Sequence, residues 1–223
     1  MTDFAVQRQN MVESQVRPNG ITDARVIDAM AKLPRELFVP EQRRTLAYMD
    51  EDVLVASTPD GSRRWMMEPM TFARLLQLAE IGPGDVVLDV GCATGYSTAV
   101  IATLAESAIA VEEDPVLAEQ ATARLAELGI TNAAIVNAPH ATGLASEAPF
   151  DIIFINGRVA TLPRALLEQL KDGGRLVAVV GETAVSPALV CTRHGETFSS
   201  RAQYDASVAP LSGFAPPVSK FVF

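Results

Sequence analysis

Two cysteines among 223 residues, Cys92 and Cys191, lie far apart and in different expected elements. No disulfide framework is indicated, and a reducing cytoplasm suits them. Basic charge is also short, with 18 Lys and Arg against 27 Asp and Glu and a formal net charge of −9. The only basic doublets, Arg43-Arg44 and Arg63-Arg64, are too small and too scattered to track a phosphate backbone, so a nucleic-acid partner is not expected. No apolar run approaches the roughly 18 residues that cross a bilayer, and the first ten residues lack the basic start and apolar stretch of a signal peptide. No spacing of His, Cys, Asp and Glu suits a metal, so none is expected. The expectation is a cytoplasmic protein with no membrane association. Nothing in the residues specifies an oligomeric state.

Apolar residues are present at an ordinary 48%, enough in a chain of this length for a sizeable core. Residues 1–80 read as a helical and irregular N-terminal extension. A helix is expected from Asp3 to about Arg17, stopped by Pro18 and Asn19-Gly20, and a second from Asp23 to Lys32. Residues 46–67 show no clear period and hold a turn at Pro59-Asp60-Gly61. Pro69 to Glu80 reads as a third helix. From Gly82 the rhythm becomes strand, helix, strand. Val86–Val90, Ala108–Val111, Ala133–Val136, Asp151–Ile155 and Arg175–Val180 read as strands. Thr94–Ala105, Pro115–Leu128 and Leu162–Leu170 read as helices. Continuous β-branched runs joined by helices predict an α/β fold, a Rossmann-like parallel sheet with helices on both faces, over 81–223 as one compact unit. Leu189–Arg193 and Phe221-Val222-Phe223 are expected as antiparallel edge strands.

Asp89-Val90-Gly91-Cys92-Ala93-Thr94-Gly95 joins the first of these strands to its helix, where open parallel sheets bind ligands. Small residues let the backbone approach a ligand and leave helix N–H groups free to bond it. A tight turn with no ligand would also account for the loop alone. Glu112 follows the next strand about twenty residues on, where an acid binds ribose hydroxyls in nucleotide folds. Glu113 and Asp114 could instead cap the following helix, the preferred reading for Asp114. Spacing does not separate a dinucleotide from S-adenosylmethionine. Ala93 in place of a middle glycine weakens a pyrophosphate cradle, and Asp89 suits a sulfonium and an amino group better than a diphosphate. The methyl donor is the better reading.

These residues resemble the protein-L-isoaspartate (D-aspartate) O-methyltransferase family nearly end to end. Val87 to Val100, with its Gly95-Tyr96 pair, is similar to the first cofactor motif. Gly20 to Met30, Leu33-Pro34-Arg35-Glu36-Leu37-Phe38-Val39-Pro40 and Ala47 to Asp50 resemble the N-terminal signature. Pro149-Phe150-Asp151, Gln169 to Gly174 and Val208-Ala209-Pro210-Leu211 follow in family order. The resemblance implies a Rossmann-like methyltransferase sheet and S-adenosyl-L-methionine as cofactor, with Asp89, Gly91, Cys92, Ala93, Gly95, Tyr96, Glu112, Glu113 and His140 around it. It also implies a carboxylate acceptor on an isoaspartyl peptide or a related molecule. Three places depart from the pattern. Met67 stands at the position of a reaction-site serine, in Arg64-Trp65-Met66-Met67-Glu68-Pro69. Ala138-Pro139-His140 replaces an acid-bearing turn near the adenine, and Gly157-Arg158 replaces a pair of alanines.

A carboxylate acceptor is already ionised near neutral pH, so methyl transfer to it needs alignment and water exclusion rather than a general base. Arg158 is a candidate carboxylate clamp through its fork of donors, or a surface arginine in a turn. Trp65-Met66-Met67 could line an acceptor pocket or pack the extension onto the sheet. The segment 57–69 is expected to lie over the methyl-donor end, with Arg63 and Arg64 near an anionic acceptor. His140 would be the nearest base for an alcohol or amine, and His194 is expected to face solvent. Because Met67 supplies no hydroxyl, turnover on isoaspartyl peptides is expected to be weak or absent. The alternatives are a homologue that binds the cofactor and acts on a small apolar acceptor, and a non-catalytic binding protein. An oxidoreductase using a dinucleotide is more distant.

Overall fold

Runs of Val, Ile and Leu between glycine turns form the centre of the computed structural model, which describes residues 3–57 and 61–214. Nine strands are found among them: β1 Val53–Ser57, β2 Arg63–Met66, β3 Val86–Val90, β4 Ser107–Glu112, β5 Ala133–Asn137, β6 Phe150–Val159, β7 Leu170–Val180, β8 Val185–His194 and β9 Thr197–Ser207. The helices are α1 Phe4–Met11, α2 Ala24–Lys32, α3 Pro69–Ala79, α4 Tyr96–Leu104, α5 Pro115–Glu127 and α6 Arg164–Leu167. Seven strands make one sheet in the order β5-β4-β3-β6-β7-β8-β9. The first five of that order run parallel and the last two pair antiparallel. The order reverses between β3 and β6, so a crevice opens beyond their carboxyl ends.

Strand alternation sorts the core into two layers. Val87, Ile152, Phe154, Val177 and Val179 join one cluster, while Leu88, Val90, Ile153, Ile155, Leu176 and Ala178 join the other. The period of two along each strand sends successive side chains to opposite faces. The first cluster also holds Met11, Val16, Met30, Phe38 and Tyr48, so the N-terminal residues share one core with the sheet. The second face carries the short α6, with Leu166 and Leu167 turned inward. Among the described residues no helix is long and apolar enough to cross a membrane.

The expected elements need several corrections. The helix expected from Asp3 to Arg17 is three pieces: α1, a π-turn over Val12–Val16 and a 3-10 turn over Arg17–Asn19 that ends at Gly20 with φ +80°. The stretch expected to lack strands holds the β1–β2 hairpin. Its second strand turns Arg64 and Met66 inward, so the apolar alternation that announces a strand is broken by an arginine. Of the expected turn there, only Gly61 lies within the described residues, with φ +86°. The helix expected over 162–170 shrinks to α6, because Leu170 already pairs with Phe150 and β7 runs through Gly173-Gly174. The edge strand expected at 189–193 extends to β8 and gains β9 as partner. The strand expected at 221–223 lies outside the described residues.

Helix starts follow local chemistry. The Asp114 carboxylate accepts the N–H groups of Val116 and Leu117 at 2.8 and 3.2 Å, with Pro115 at the first turn, as its capping role predicts. Gly95 opens α4 with φ +93°, and a Cβ there would stand 3.0 Å from the Ala121 Cβ and 3.2 Å from its Cα. Gly95→Ala should therefore lose stability by roughly 1–3 kcal/mol, the usual cost of a left-handed non-glycine residue, with crowding added. Urea unfolding measures this, and an unchanged midpoint would show that the loop relaxes freely.

Candidate functional site

Parallel pairing places Asp89 and Glu112 at the carboxyl ends of neighbouring strands, one residue before the end of β3 and at the last residue of β4. Both are fully buried. Burying a carboxylate is costly without donors, and the two acids are supplied differently. Asp89 Oδ2 accepts the hydroxyls of Ser97 and Thr98 at 2.7 Å each, and Oδ1 accepts the Asn156 amide. These donors are all neutral. Burial pushes the Asp89 carboxyl up to about 6; the hydroxyls oppose the rise and the charge of Glu112 adds to it.

Glu112 sits in a different field. Arg64 reaches it from β2 with both ends of the guanidinium, Nη1 to Oε1 and Nη2 to Oε2, each at 2.9 Å. The Ala93 N–H donates to Oε2 at 2.8 Å and the Asp114 N–H to Oε1 at 3.2 Å. Burial alone would raise the Glu112 carboxyl, but His140, Arg64 and the Asp114 N–H outweigh it and hold it below the usual glutamate range. Arg64 is 3% exposed and also donates from Nη2 to the Gly91 carbonyl at 3.1 Å.

The loop between these acids has the strained backbone that small residues tolerate. Gly91, Ala93 and Gly95 all have positive φ, and Ala93 is one of two non-glycine residues described with it. Its left-handed turn aims its N–H at Glu112, which accounts for an alanine accepting the strain. A Cβ on Gly91 would lie 2.7 Å from a Leu211 methyl, so the C-terminal segment presses directly on the loop. Cys92 is a small buried residue whose thiol burial pushes well up, and Cys92 and Cys191 are both free. Neither behaves as a nucleophile.

The remaining expected residues divide. Tyr96 turns away from Glu112 into the extension, its ring 5.4 Å from Phe38 and 5.6 Å from Phe72, with the Arg35 guanidinium 4.8 Å from its centre. His140 is fully buried beside Glu112, with Nε2 receiving the Glu113 N–H at 3.2 Å and Nδ1 3.1 Å from the Ser212 carbonyl. Its ring stacks on Phe214 at 6.4 Å, and Glu113 accepts the Ser212 hydroxyl. Asp114 has capped α5, and Glu113 ties down the C-terminal segment.

Met67 lines a cavity with Trp65, Met66, Asn156 and the Gly91–Thr94 loop. Arg158 does not line it. Its Nη1 donates to the Gly181 carbonyl at 2.8 Å and its Nε to that of Val208 at 3.4 Å, while its backbone pairs with Ala209 and Leu211, so it holds the C-terminal segment against the end of β6. Reading residues one at a time missed Arg35, which is fully buried and lines the same cavity. Arg35 gives Nε to the Ala47 carbonyl at 2.6 Å and Nη2 to that of Met67, while its Nη1 and the Tyr96 hydroxyl have no hydrogen-bond partner among the described residues. A buried guanidinium at the wall of a cavity is a cation toward which an anion is drawn. The cavity itself measures about 30 Å³, since Arg64 and Leu211 fill the ground in front of the loop. A larger hollow of about 580 Å³ lies beside Thr94, between Phe38, Arg44 and α5, and contains neither buried acid.

The raised Asp89 carboxyl has a consequence for stability. An acid whose folded pKa exceeds its unfolded value of about 3.9 binds its proton better when folded, so its contribution is full below pH 4 and is lost as pH rises through about 6. Asp89→Asn removes that dependence. Between pH 4 and pH 7 the unfolding free energy of the variant should gain on that of the parent by roughly 2–3 kcal/mol, since each pH unit separating the folded and unfolded pKa values is worth about 1.4 kcal/mol. Urea titrations at several pH values measure the gap. A gap independent of pH would show that Asp89 titrates as an ordinary aspartate.

The family model for protein-L-isoaspartate (D-aspartate) O-methyltransferase matches residues 6–213. The chain is 40% identical over 220 residues to protein-L-isoaspartate O-methyltransferase of Methylorubrum extorquens, covering 97% of this chain and 94% of the relative. It is 36% identical over 213 residues to the protein of the same name from Koribacter versatilis, covering 96% and 94%. Among solved structures, a protein-L-isoaspartate O-methyltransferase superposes with a TM-score of 0.80 at 22% identity, over 92% of this chain and 66% of that one. A Plasmodium falciparum protein described as a putative protein-L-isoaspartate O-methyltransferase, in complex with S-adenosyl-L-homocysteine, gives 0.73 at 19% identity over 96% and 100%. These two likenesses carry the fold, and the family match and relatives carry the rest: the chain belongs to the protein-L-isoaspartate (D-aspartate) O-methyltransferase family.

Proposed function

We propose that the chain is an S-adenosylmethionine-dependent O-methyltransferase that esterifies the carboxylate of isoaspartyl residues in peptides and proteins. The observation that carries this reading is the pair of buried acids at the switch point of the sheet, set on either side of the Gly91–Gly95 loop. Their chemistry fits the two halves of the cofactor. Glu112 suits a ribose diol, which presents two donors to two carboxylate oxygens. Asp89 is a buried acid held by neutral donors alone, so a cationic ligand group beside it would meet an anion that lacks a cation. Ala93 in place of a middle glycine, with its N–H spent on Glu112, argues against a dinucleotide's pyrophosphate at this turn. Membership of the family supports the acceptor.

When bound, the cofactor supplies an electrophilic methyl group on a sulfonium. The chain's own task is to hold the acceptor carboxylate in line and dry. Trp65, Met66 and Met67 give the cavity apolar walls, and the buried guanidinium of Arg35 at that wall supplies the positive charge that would attract the carboxylate. Arg35 takes over the clamp role first considered for Arg158, whose guanidinium is committed to carbonyl oxygens. No base is required, because the acceptor is ionised at neutral pH. His140 is therefore free to act as a structural buttress between Glu113 and Ser212. A cytoplasmic location and a peptide rather than a nucleic acid as partner accord with two free cysteines and a net charge of −9.

The test is transfer of labelled methyl from S-adenosylmethionine to an isoaspartyl peptide, beside its ordinary aspartyl counterpart. The expected result is a base-labile methyl ester on the isoaspartyl peptide only, formed more slowly than by a relative that carries serine at the place of Met67. Equal labelling of both peptides, or of neither, would overturn the assigned acceptor.

A further inference from the structure

Glu112 has no acceptor site left for the ligand it is proposed to hold. A carboxylate offers about four lone-pair positions. Arg64 takes two of them in a bidentate pair, and the N–H groups of Ala93 and Asp114 take the others. Arg64 also covers the Gly91 carbonyl, and the cavity in front of the loop is about 30 Å³, against the several hundred typical of a small-molecule site. The residues have the right chemistry for a nucleoside, yet an arginine of the chain itself stands where the ribose belongs.

We infer that Arg64 is an internal competitor for Glu112 that sets the affinity for the cofactor: nucleoside binding requires β2 to withdraw the guanidinium, and Arg64 returns when the ribose leaves. This inference rests on the function proposed above. Its geometry is that of an exchange. A guanidinium and a cis-diol each present two donors to the two oxygens of one carboxylate, so either can satisfy Glu112 and they cannot do so together. Leaving Glu112 buried with neither would be strongly unfavourable, so one occupant must follow the other.

Arg64 is also carried by the element best suited to move. Among the described residues β1 and β2 form a two-stranded sheet of their own, with no ladder to the seven-stranded sheet and a register irregularity between Leu54 and Ala56. Val53, Val55 and Met66 pack the hairpin into the core, but no ladder joins it to the central sheet, so the Arg64 side chain can swing off Glu112 without breaking a strand pairing. The N–H groups of Ala93 and Asp114 belong to the loop and helix that frame the site, and they remain on Glu112 in both states. The apparent dissociation constant is then the intrinsic one divided by the fraction of molecules with Arg64 withdrawn.

The chain contains a reporter at the right place, for its only tryptophan, Trp65, adjoins Arg64 on β2. Calorimetry with S-adenosylhomocysteine is run on the parent chain and on Arg64→Gln and Arg64→Ala, with Trp65 emission followed in the parent during the same titration. Both variants are expected to bind at least tenfold more tightly than the parent, and parent emission should change and saturate together with the heat. Should a variant fail to fold, the parent's emission decides on its own, since a ligand that binds without disturbing Trp65 has not moved Arg64. Equal or weaker binding by folded variants, or binding with unchanged emission, would overturn the inference and make Arg64 a fixed part of the floor. Absence of binding to the parent and to both folded variants would instead overturn the cofactor assignment, a different failure.

Discussion

The demand of a buried carboxylate for donors organises this protein more than any other local requirement. Parallel pairing of β3 and β4 brings two acids to one end of the sheet and buries both, and such groups cannot be left unpaired at tolerable cost. Asp89 is met from within the Rossmann-like unit, by hydroxyls at the start of α4 and an amide at the end of β6. Glu112 is met partly by backbone N–H groups and partly from outside the sheet, by an arginine 48 residues earlier in the chain. That ion pair joins the loop end of the sheet to the β1–β2 hairpin, which Val53, Val55 and Met66 pack into the core. The hairpin in turn places Trp65, Met66 and Met67 at the wall of the cavity.

The C-terminal segment is drawn to the same place by a different route. The carboxylate of Asp52, just before β1, accepts the N–H of Glu68 at 2.8 Å and that of Ala209 at 3.2 Å, joining the hairpin to residues 208–211. Arg158 holds the far side of that segment through the Val208 carbonyl and the backbone of Ala209 and Leu211. Leu211 then packs where a Gly91 side chain would be, which explains why glycine is required there beyond its positive φ. Arg64 and Arg158, both read from the sequence as candidate contacts of an anionic acceptor, thus join Asp52 in assembling the walls of the site.

The sheet was readable because its signal is local. Val86–Val90 is found at the expected bounds, and β4, β5 and α5 fall within one or two residues of them, since aliphatic runs and an Asp-Pro start need no distant partner. The loop and Glu112 were readable for the same reason, their positions following from the strand-to-helix order. Failures came where the determining contact is remote. β2 does not alternate as a strand should, because Arg64 faces inward to reach Glu112. β7 bulges at Gly173-Gly174: Gly173 has φ +78°, the register shifts between Leu170 and Arg175, and a Cβ on Gly174 would stand 3.0 Å from the Asp151 carbonyl, so the glycine pair turns the chain inside a strand and does not end a helix. Arg35 was visible only as part of a resemblance, since nothing in Pro34-Arg35-Glu36 says that it will be buried against Tyr96. Arg158 looked like a clamp because a fork of donors after a strand suits an anion equally well as it suits carbonyl oxygens.

On the proposal that Arg64 and the cofactor's ribose exchange on Glu112, charge balance links the exchange to the direction of the reaction. With Arg64 in place, the cleft holds one guanidinium against Glu112 and a second acid, Asp89, whose carboxyl burial raises to about 6 with neutral donors alone to oppose it. S-adenosylmethionine carries a net positive charge, a sulfonium beside a zwitterionic amino-acid end, so exchanging Arg64 for it leaves the charge of the cleft unchanged. Transfer of the methyl group would leave a neutral thioether and turn the acceptor carboxylate into a neutral ester, so the charge of the cleft would fall only relative to the state before the acceptor bound. Once the ester left, the cleft would hold one positive charge fewer than with the methyl donor alone, beside two acids buried at low dielectric, a state that favours the return of a cation. Of the arginines that line the cavity, Arg64 is the one paired with Glu112, and on this proposal its return would displace the ribose of the spent cofactor. On this account the arginine that hinders entry of the methyl donor is matched in charge to that donor, and it competes most effectively against the product.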